Sequence, residues 1–111
     1  MPTDQLSRTF AALAHPTRRA ILDRLAQGEA TVRELAEPFS VSPPAISRHL
    51  RVLEEAGLIS RSRVAQTRPT SLRPAALDEA DAWVSACKAT WESRLDRLGD
   101  HLDRVQGKRG G

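Results

Sequence analysis

The side chains best placed to do chemistry lie in residues 42–51, which read SPPAISRHLR. Ile46, Leu50 and Leu53 recur at spacings of four and three, which predicts a helix with one buried face. Arginine can bond guanine O6 and N7 or a phosphate, so arginines on the opposite, solvated face would suit the major groove of DNA. That face would carry Pro44, Ser47, Arg48 and Arg51.

Two prolines open this helix, and their position bears on which end of it would contact DNA. Ser42 can act as the N-cap, and Pro43 and Pro44 fit the first turn, where a missing N–H costs nothing. Without those N–H groups the helix start is a poor backbone anion site, but it offers a rigid apolar tip for a thymine methyl. We therefore include Ser42 and Pro43, together with Pro44, among the predicted DNA contacts. The alternative is that the prolines only stop the preceding turn.

A second basic segment follows the helix and has the pattern of a two-stranded hairpin at residues 58–73. Arg61 and Arg63 share one side of its first strand, because successive residues of a strand alternate faces. With Gln66 and Arg68, they would let the hairpin follow a phosphate backbone or reach a minor groove. The alternative is an ordinary solvated hairpin.

Charge is unevenly distributed along the chain, whose net charge is +3. Residues 41–73 carry six arginines against Glu54 and Glu55, a balance of +4. Residues 1–40 balance to zero, and residues 74–106 carry four basic and seven acidic groups, a balance of −3. A basic middle between a neutral start and an acidic end predicts one surface for a polyanion, and chance clustering is the alternative.

The other patterns predict a mainly α fold with one small β-hairpin. Thr31 and Glu34 form a capping box at the start of a short helix, and a tight turn joins it to the arginine-bearing helix. The order helix, helix, helix-turn-helix, hairpin, long helix is that of a winged helix-turn-helix domain. We predict a single domain over residues 1–106 and a disordered tail at 107–111. Within the domain we expect the helix-turn-helix at about 31–56, the wing at about 58–73 and the long C-terminal helix at about 74–105.

The long last helix carries an apolar seam that one small domain cannot cover. The seam repeats at spacings of three and four over about seven turns, at 3.6 residues per turn. Its length predicts a partner, most simply a second copy of the chain, which would make this a dimerisation helix. The seam consists of Ala80, Val84, Cys87, Trp91, Leu95, Leu98, Leu102 and Val105.

Length and composition argue against several other classes of protein. The 111-residue chain has no 18-residue apolar run, and its first residues lack a secretion signal, so we expect no membrane partner. Cys87 is the single cysteine and cannot form an internal disulfide, so we expect a cytoplasmic protein. The sequence holds no glycine-rich phosphate loop, complete metal cluster or recognisable nucleophile–base pair. We therefore predict neither an enzyme nor a bound cofactor.

From Phe10 to about Trp91 the chain resembles the ArsR family of winged-helix repressors. The resemblance rests on HPTRRAILDRL at residues 15–25, on SPPAISRHLRVLEEAGL at residues 42–58 and, less closely, on residues 60–84. It implies a homodimer that pairs through its first and last helices and presents two recognition helices to a pseudo-palindromic DNA operator. It also implies a repressor, commonly of its own operon. The implied dimer interface comprises Leu6, Phe10, Leu13, Val84, Cys87, Trp91, Leu95, Leu98 and Leu102.

The chain departs from the metal-sensing members of that family. Their C-V-C-D-L motif in the third helix is matched by TVREL at residues 31–35, so both cysteines are missing. The family's other common site needs an Asp-x-His, which the sequence lacks. We therefore predict a regulator with no metal site that does not respond to metal, and whose inducer is unknown. The wing also lacks the family's usual tip glycine and strand tyrosine.

Several features have two interpretations. Cys87 is predicted to be a small buried apolar contact, and a redox-responsive repressor is the alternative. Trp83 and Trp91 are predicted to make core or dimer contacts, and a ligand cleft between subunits is the alternative. His15 and His49 are expected to be structural. The competing function is a protein-interaction module that uses the long last helix.

Overall fold

The computed structural model describes residues 4–62 and 69–107 of the chain. Within them the fold is mainly α with one small β-hairpin and a long C-terminal helix, as the sequence predicts. Contacts group the chain into two compact units, Met1–Ala80 and Asp81–Gly111, and the single domain over 1–106 stays a prediction. In chain order the elements are α1 (Gln5–Leu13), α2 (Pro16–Leu25), α3 (Val32–Ala36), a 3₁₀ turn (Glu37–Phe39), α4 (Pro43–Glu55), β1 (Ile59–Arg61), β2 (Thr70–Leu72) and α5 (Ala75–Gly107).

The core of the first unit is built against one face of α4. Ile46, Leu50 and Leu53 are fully buried, which confirms the stripe that their spacing predicts. Ile21 of α2 and Leu58, just after α4, are fully buried with them. Burying one such side chain stabilises the fold by on the order of 1.5–3 kcal/mol. This apolar packing therefore determines which face of α4 points to solvent.

Side-chain caps define where α3 and α4 begin. Thr31 Oγ1 accepts from the backbone N–H of Glu34 at 3.2 Å, and Glu34 Oε1 accepts from the N–H of Thr31 at 3.1 Å, which confirms the capping box. The hydrogen bonds from Thr31 hold the pKa of the Glu34 carboxyl below its usual value. Ser42 Oγ accepts from the N–H of Ala45 at 3.4 Å, so Ser42 is the predicted N-cap of α4.

Two residues with positive φ enclose α4. Ser40, with φ 52°, turns the chain between the 3₁₀ turn and the N-cap of α4. Gly57, with φ 77°, ends the helix, because glycine adopts this left-handed conformation without a Cβ clash. The N–H of Leu58 then donates to the carbonyl of Leu53 at 3.0 Å, which closes the last turn.

The hairpin is short, and its second strand is paired on both sides. β1 and β2 are antiparallel, with Ile59 opposite Leu72 and Arg61 opposite Thr70. Thr70 also exchanges two backbone hydrogen bonds with Ala30, at 2.8 and 3.0 Å. Because Ala30 directly precedes the cap of α3, this pairing fixes the hairpin beside the helix-turn-helix.

The second unit consists of most of α5. Within residues 81–106 every residue except Gly99 is exposed. The exposed apolar side chains include Val84, Trp91, Leu95, Leu98, Leu102 and Val105, at 38–62% exposure. No helix in residues 4–62 or 69–107 is both long and apolar enough to cross a membrane.

Thr70 provides a test of the packing under the hairpin. Its side chain is fully buried, and within the described part of the chain its Oγ1 has no hydrogen-bond partner. We expect Thr70→Val to raise the free energy of unfolding by about 1 kcal/mol, because it removes an unsatisfied hydroxyl at nearly constant volume. Urea denaturation measures the change, with Ser71→Val at the half-buried next position as the control. A loss of stability in Thr70→Val would show that the hydroxyl has a partner.

Candidate nucleic-acid interface

The outward face of α4 and the N-terminal end of the helix carry six of the predicted DNA-binding residues. Arg48 and Arg51 are exposed, and so are the N-cap and the two prolines of the first turn. Ser47, which directly precedes Arg48, is half-buried. This face lies opposite the buried stripe, so the rotation of the helix in the core determines its composition. The six residues are Ser42, Pro43, Pro44, Ser47, Arg48 and Arg51. Their contact with DNA stays a prediction.

Two exposed valines beside this face were not predicted to belong to it. Val52 is 37% exposed and lies one turn after Arg48, and Val41, at 42%, precedes the N-cap of α4. An exposed apolar side chain one turn from an arginine, as Val52 is, suits the methyl group of thymine. The sequence carries a signal for Val52, because an apolar residue at this position falls outside the spacing of the buried stripe. It carries none for Val41, which lies in a turn without periodicity.

The C-terminal end of α4 is held from α1. Gln5 Nε2 donates to the carbonyl oxygen of Ala56, the C-cap of α4. The same Nε2 lies 3.4 Å from the hydroxyl of Thr9, which is buried and donates in turn to the Gln5 carbonyl at 3.0 Å. The last carbonyls of a helix need partners outside it, so Gln5 both satisfies one and ties the end of α4 to α1.

The middle of α4 is held by Arg18, in the first turn of α2. The Arg18 guanidinium donates from Nε to the carbonyl of Ala12 at 2.7 Å and from Nη2 to that of Ala11 at 3.2 Å, both at the end of α1. Its Nη1 lies 3.5 Å from His49 Nδ1 on α4. One side chain therefore joins three helices.

His49 also packs against His15, the residue that precedes α2. The two ring centroids are 4.5 Å apart, and the ring planes are tilted by 53°. His15 Nδ1 accepts from the backbone N–H of Thr17 at 3.1 Å, so His15 is the N-cap of α2. Both histidines make structural contacts, in line with the sequence-based expectation, but their pairing was not predicted.

The contacts of His49 favour its neutral form. A guanidinium has only donors, so its contact with His49 Nδ1 requires the tautomer that carries the ring proton on Nε2. Burial lowers the pKa of His49 below the ordinary 6.5, and the neighbouring charges of His15, Arg18 and Arg48 lower it further. At neutral pH the residue beside Arg48 is therefore an uncharged hydrogen-bond acceptor.

Arg61, the first arginine of the hairpin, is less exposed than the sequence pattern predicts. Arg61 is half-buried, because it shares a strand face with the buried Ile59 and lies opposite the fully buried Thr70. Ser60 is the exposed residue of β1. The other predicted hairpin contacts, Arg63, Gln66 and Arg68, lie outside the described residues.

The predicted interface residues of α1 are not the ones that α1 buries within the chain. Thr9 and Ala12 are buried, whereas Leu6 and Leu13 are half-buried and Phe10 is 37% exposed. The apolar spacing of α1 therefore marks a partly solvent-facing stripe. The burial of that stripe by a second copy stays a prediction.

The predicted interface residues of α5 are all exposed in the single chain: Val84, Cys87, Trp91, Leu95, Leu98 and Leu102. Cys87 is a free cysteine, and the small buried contact expected of it depends on a partner that covers the seam. The burial of this apolar row by a second copy stays a prediction.

Acidic, histidine and cysteine side chains do not converge within residues 4–62 and 69–107, where no group of three or more could hold a metal ion. At the start of α3, Glu34 is engaged by Thr31 and by Arg24, whose Nη2 lies 3.8 Å from its Oε2. The paired imidazoles of His15 and His49 lie beside Arg18, whose charge disfavours a second cation there. The absence of a metal response stays a prediction.

Helices α3 and α4, joined by a short turn and followed by the β1–β2 hairpin, define a winged helix-turn-helix protein. The family model described as "Bacterial regulatory protein, arsR family" matches residues 15–61, from the cap of α2 to the end of β1.

Similar proteins extend this match over most of the chain. The transcriptional repressor SdpR of Bacillus subtilis is 39% identical over 79 residues, covering 71% of this chain and 88% of SdpR. The HTH-type transcriptional regulator Rv2034 of Mycobacterium tuberculosis is 41% identical over 98 residues, covering 84% of this chain and 91% of Rv2034. The chain belongs to the ArsR family of bacterial regulatory proteins.

Solved structures agree with this assignment. The crystal structure of the ArsR family transcriptional regulator RHA00566 has a TM-score of 0.76 and 38% identity, and the match covers 80% of this chain and 98% of that one. A homodimeric winged helix-turn-helix DNA-binding domain, Mb0332 from Mycobacterium bovis, has a TM-score of 0.60 and 26% identity, and the match covers 85% and 84%.

We expect the free energy of unfolding to fall as the pH drops below 6.5, the ordinary pKa of histidine. The unfolded chain takes up a proton there that folded His49 resists. The contribution of neutral His49 to the free energy of unfolding is therefore complete above pH 6.5, and it is lost as the pH falls to the lowered pKa of His49 in the folded state. Urea denaturation between about pH 5 and 7.5 measures this, since Asp4 and Glu34, with pKa values lowered from 3.8 and 4.5, stay ionised. His49→Asn should flatten part of the slope, and an unchanged slope would assign it to other groups.

Proposed function

We propose that this chain is a sequence-specific DNA-binding regulator that acts as a homodimeric repressor. The observation that carries the proposal is the outward face of α4, where Arg48 and Arg51 are exposed opposite a fully buried stripe. SdpR, described as a transcriptional repressor, supports the repressing role. Mb0332, described as a homodimeric DNA-binding domain, supports the paired state.

In this proposal α4 enters the major groove with its N-terminal half. A groove about 12 Å wide admits one helix, and arginines on its outward face reach base edges or phosphates. Arg48 lies between the half-buried Ser47 and His49, so its backbone position is fixed by the packed side of the helix. The exposed Pro43 and Pro44 would contact the sugar–phosphate edge or a thymine methyl without a backbone donor.

The charge distribution supports the same orientation. Residues 41–73 have a balance of +4, whereas residues 74–106 have a balance of −3. A polyanion is attracted to the first segment and repelled by the second, so α5 is a poor candidate for the DNA-contacting helix. Binding through arginines releases counterions, and affinity should therefore fall steeply as salt is raised.

The exposed seam of α5 supports pairing with a second copy. A row of large apolar side chains, 38–62% exposed along one helix, is the kind of contiguous apolar surface that marks a protein–protein contact. A two-fold axis through such an interface presents two copies of α4, so the operator should be pseudo-palindromic. Occupying an operator that overlaps the chain's own promoter would block transcription of its operon.

The proposed repressor acts in the cytoplasm and does not respond to metal ions. Residues 31–35, TVREL, offer one carboxylate and no thiolate at the start of α3. A transition-metal site needs several nitrogen or sulfur ligands in one place. The inducing signal is therefore expected to be of another kind.

We expect Arg48→Ala to weaken binding to a duplex from the gene's own upstream region by roughly 5- to 140-fold, or 1–3 kcal/mol, through loss of one base or phosphate contact. Fluorescence anisotropy across a salt series measures it, with a scrambled duplex beside the native one. Arg104→Ala on α5 is the matched control, because it removes the same charge from an exposed position outside the proposed interface.

Equal binding of the Arg48→Ala protein and its parent would contradict the assignment of the outward face of α4 as the surface that reads DNA (the reading face). If the parent chain binds neither duplex at low salt, the competing function gains support. In that case the seam of α5 would bind another protein, and the basic segment would be incidental.

A second substitution tests the dimer. We expect Leu95→Glu together with Leu98→Glu to shift the sedimentation equilibrium from dimer to monomer, because two charges would be buried on the seam. Ser93→Glu, an exposed position on the other side of the same helix, should leave the dimer intact. Circular dichroism checks that the helix content is retained. A dimer that survives the double substitution would place the interface elsewhere.

A further inference from the structure

Three side chains meet where α1, α2 and α4 come together, and the proposed DNA contacts do not use them. We propose that Arg18, His49 and His15 form a positioning cluster that fine-tunes the orientation of α4, so that proton uptake by His49 weakens specific DNA binding. The inference rests on the proposed function, and it adds a positioning role for residues that do not lie on the reading face.

The geometry of Arg18 makes it sensitive to both partners at once. Its Nε and Nη2 are committed to the carbonyls of Ala12 and Ala11, at 2.7 and 3.2 Å, which fixes the plane of the guanidinium. The remaining Nη1 then points at His49 Nδ1, 3.5 Å away on α4. A planar group held at two corners has little freedom to follow a displaced third partner. A shift of His49 is therefore opposed by the end of α1.

His49 links the buried side of α4 to its outward face, so a shift of His49 would move that face. It is half-buried and lies between the exposed Arg48 and the fully buried Leu50. The apolar stripe fixes which face of α4 points to solvent, and the directional contact to Arg18 adjusts the orientation of that face more finely. Rotation of α4 about its axis by a fraction of a turn would move Arg48 and Arg51 together.

Proton uptake reverses the chemistry of this contact. A proton on His49 Nδ1 converts the acceptor into a donor that faces the donors of Arg18. The charged groups acting on His49 are His15 and Arg18 from the α2 side and Arg48 on α4 itself, all basic. Protonation of His49 therefore weakens the contact between α4 and α2.

The same proton also has a second effect, which increases the affinity for DNA instead of decreasing it. An added positive charge near the DNA strengthens attraction to any phosphate backbone, whatever the sequence. Loss of orientation reduces only the contacts that depend on sequence. The two effects are separated by the ratio of affinities for the native and scrambled duplexes, which cancels the shared electrostatic part.

The experiment measures that ratio by anisotropy at pH 7.5 and pH 5.5, at constant ionic strength. For the parent chain we expect the preference for the native duplex to fall by a few-fold at the lower pH, because only the chains that carry the His49 proton lose the orientation of α4, and the lowered pKa of His49 keeps that fraction partial. Binding to the scrambled duplex should stay constant or rise. A preference that is equal at the two pH values would overturn the inference and leave the proposed function intact.

Variants assign the effect to the cluster. His49→Asn keeps an acceptor near the position of Nδ1 but cannot take up a proton, so its preference should not change with pH. Arg18→Lys keeps the charge but cannot span three acceptors, so it should show the reduced preference already at pH 7.5. Arg19→Lys is the control, because Arg19 donates to the Leu13 carbonyl at 2.7 Å, also at the end of α1. Urea denaturation identifies any variant that is simply unfolded.

A readout without DNA keeps the inference independent of the proposed function. In ¹H–¹⁵N NMR spectra, the amides of Ser47, Arg48 and Arg51 should shift with the same midpoint as the His49 ring, and His49→Asn should abolish that shift. Amides of α4 that do not respond to the His49 titration would overturn the positioning role. Shifts together with equal binding to both duplexes at every pH would instead count against the proposed function.

Discussion

The burial of Ile46, Leu50 and Leu53 is the interaction on which the rest of the site depends. These side chains, fully buried, insert one face of α4 into the core and leave the opposite face in solvent. Because a helix repeats every 3.6 residues, that choice also decides that Arg48 and Arg51 are exposed. The positions of the arginines are thus a consequence of the burial of apolar residues one or two positions away in the sequence. The proposed reading of DNA depends on this packing as much as on the arginines themselves.

Polar contacts complete what the apolar stripe begins. Burial of three large side chains contributes several kcal/mol, whereas one hydrogen bond contributes about 1 kcal/mol net, so packing supplies most of the stability. Hydrogen bonds supply direction instead. Gln5 holds the end of α4, Arg18 holds its middle, and Ser42 defines its start. A recognition helix needs both kinds of contact, because a stable but rotating helix could not read a sequence.

The parts of this fold that the sequence predicts are those encoded by neighbouring residues. The capping box of Thr31 and Glu34, the start of α4 and the length of α5 depend on spacings within a few turns. The contacts that could not be predicted join distant residues: Gln5 with Ala56, and His15 with His49. Likewise, strand alternation indicated the side of Arg61, but only its pairing with buried Thr70 shows that this side faces inward. The sequence shows an apolar stripe on α1, yet the residues that α1 buries within the chain, Thr9 and Ala12, lie outside that stripe.

The central claim is that the outward face of α4 contacts DNA, and site-specific photocrosslinking tests it most directly. A photoreactive amino acid is placed at Val52, which is exposed beside Arg48, or at Ser93, exposed on α5, and the protein is irradiated with a duplex from the gene's upstream region. Crosslinks from position 52 to bases of that duplex, with none from position 93, are the predicted result. Crosslinks from position 93 without any from position 52 would contradict the account.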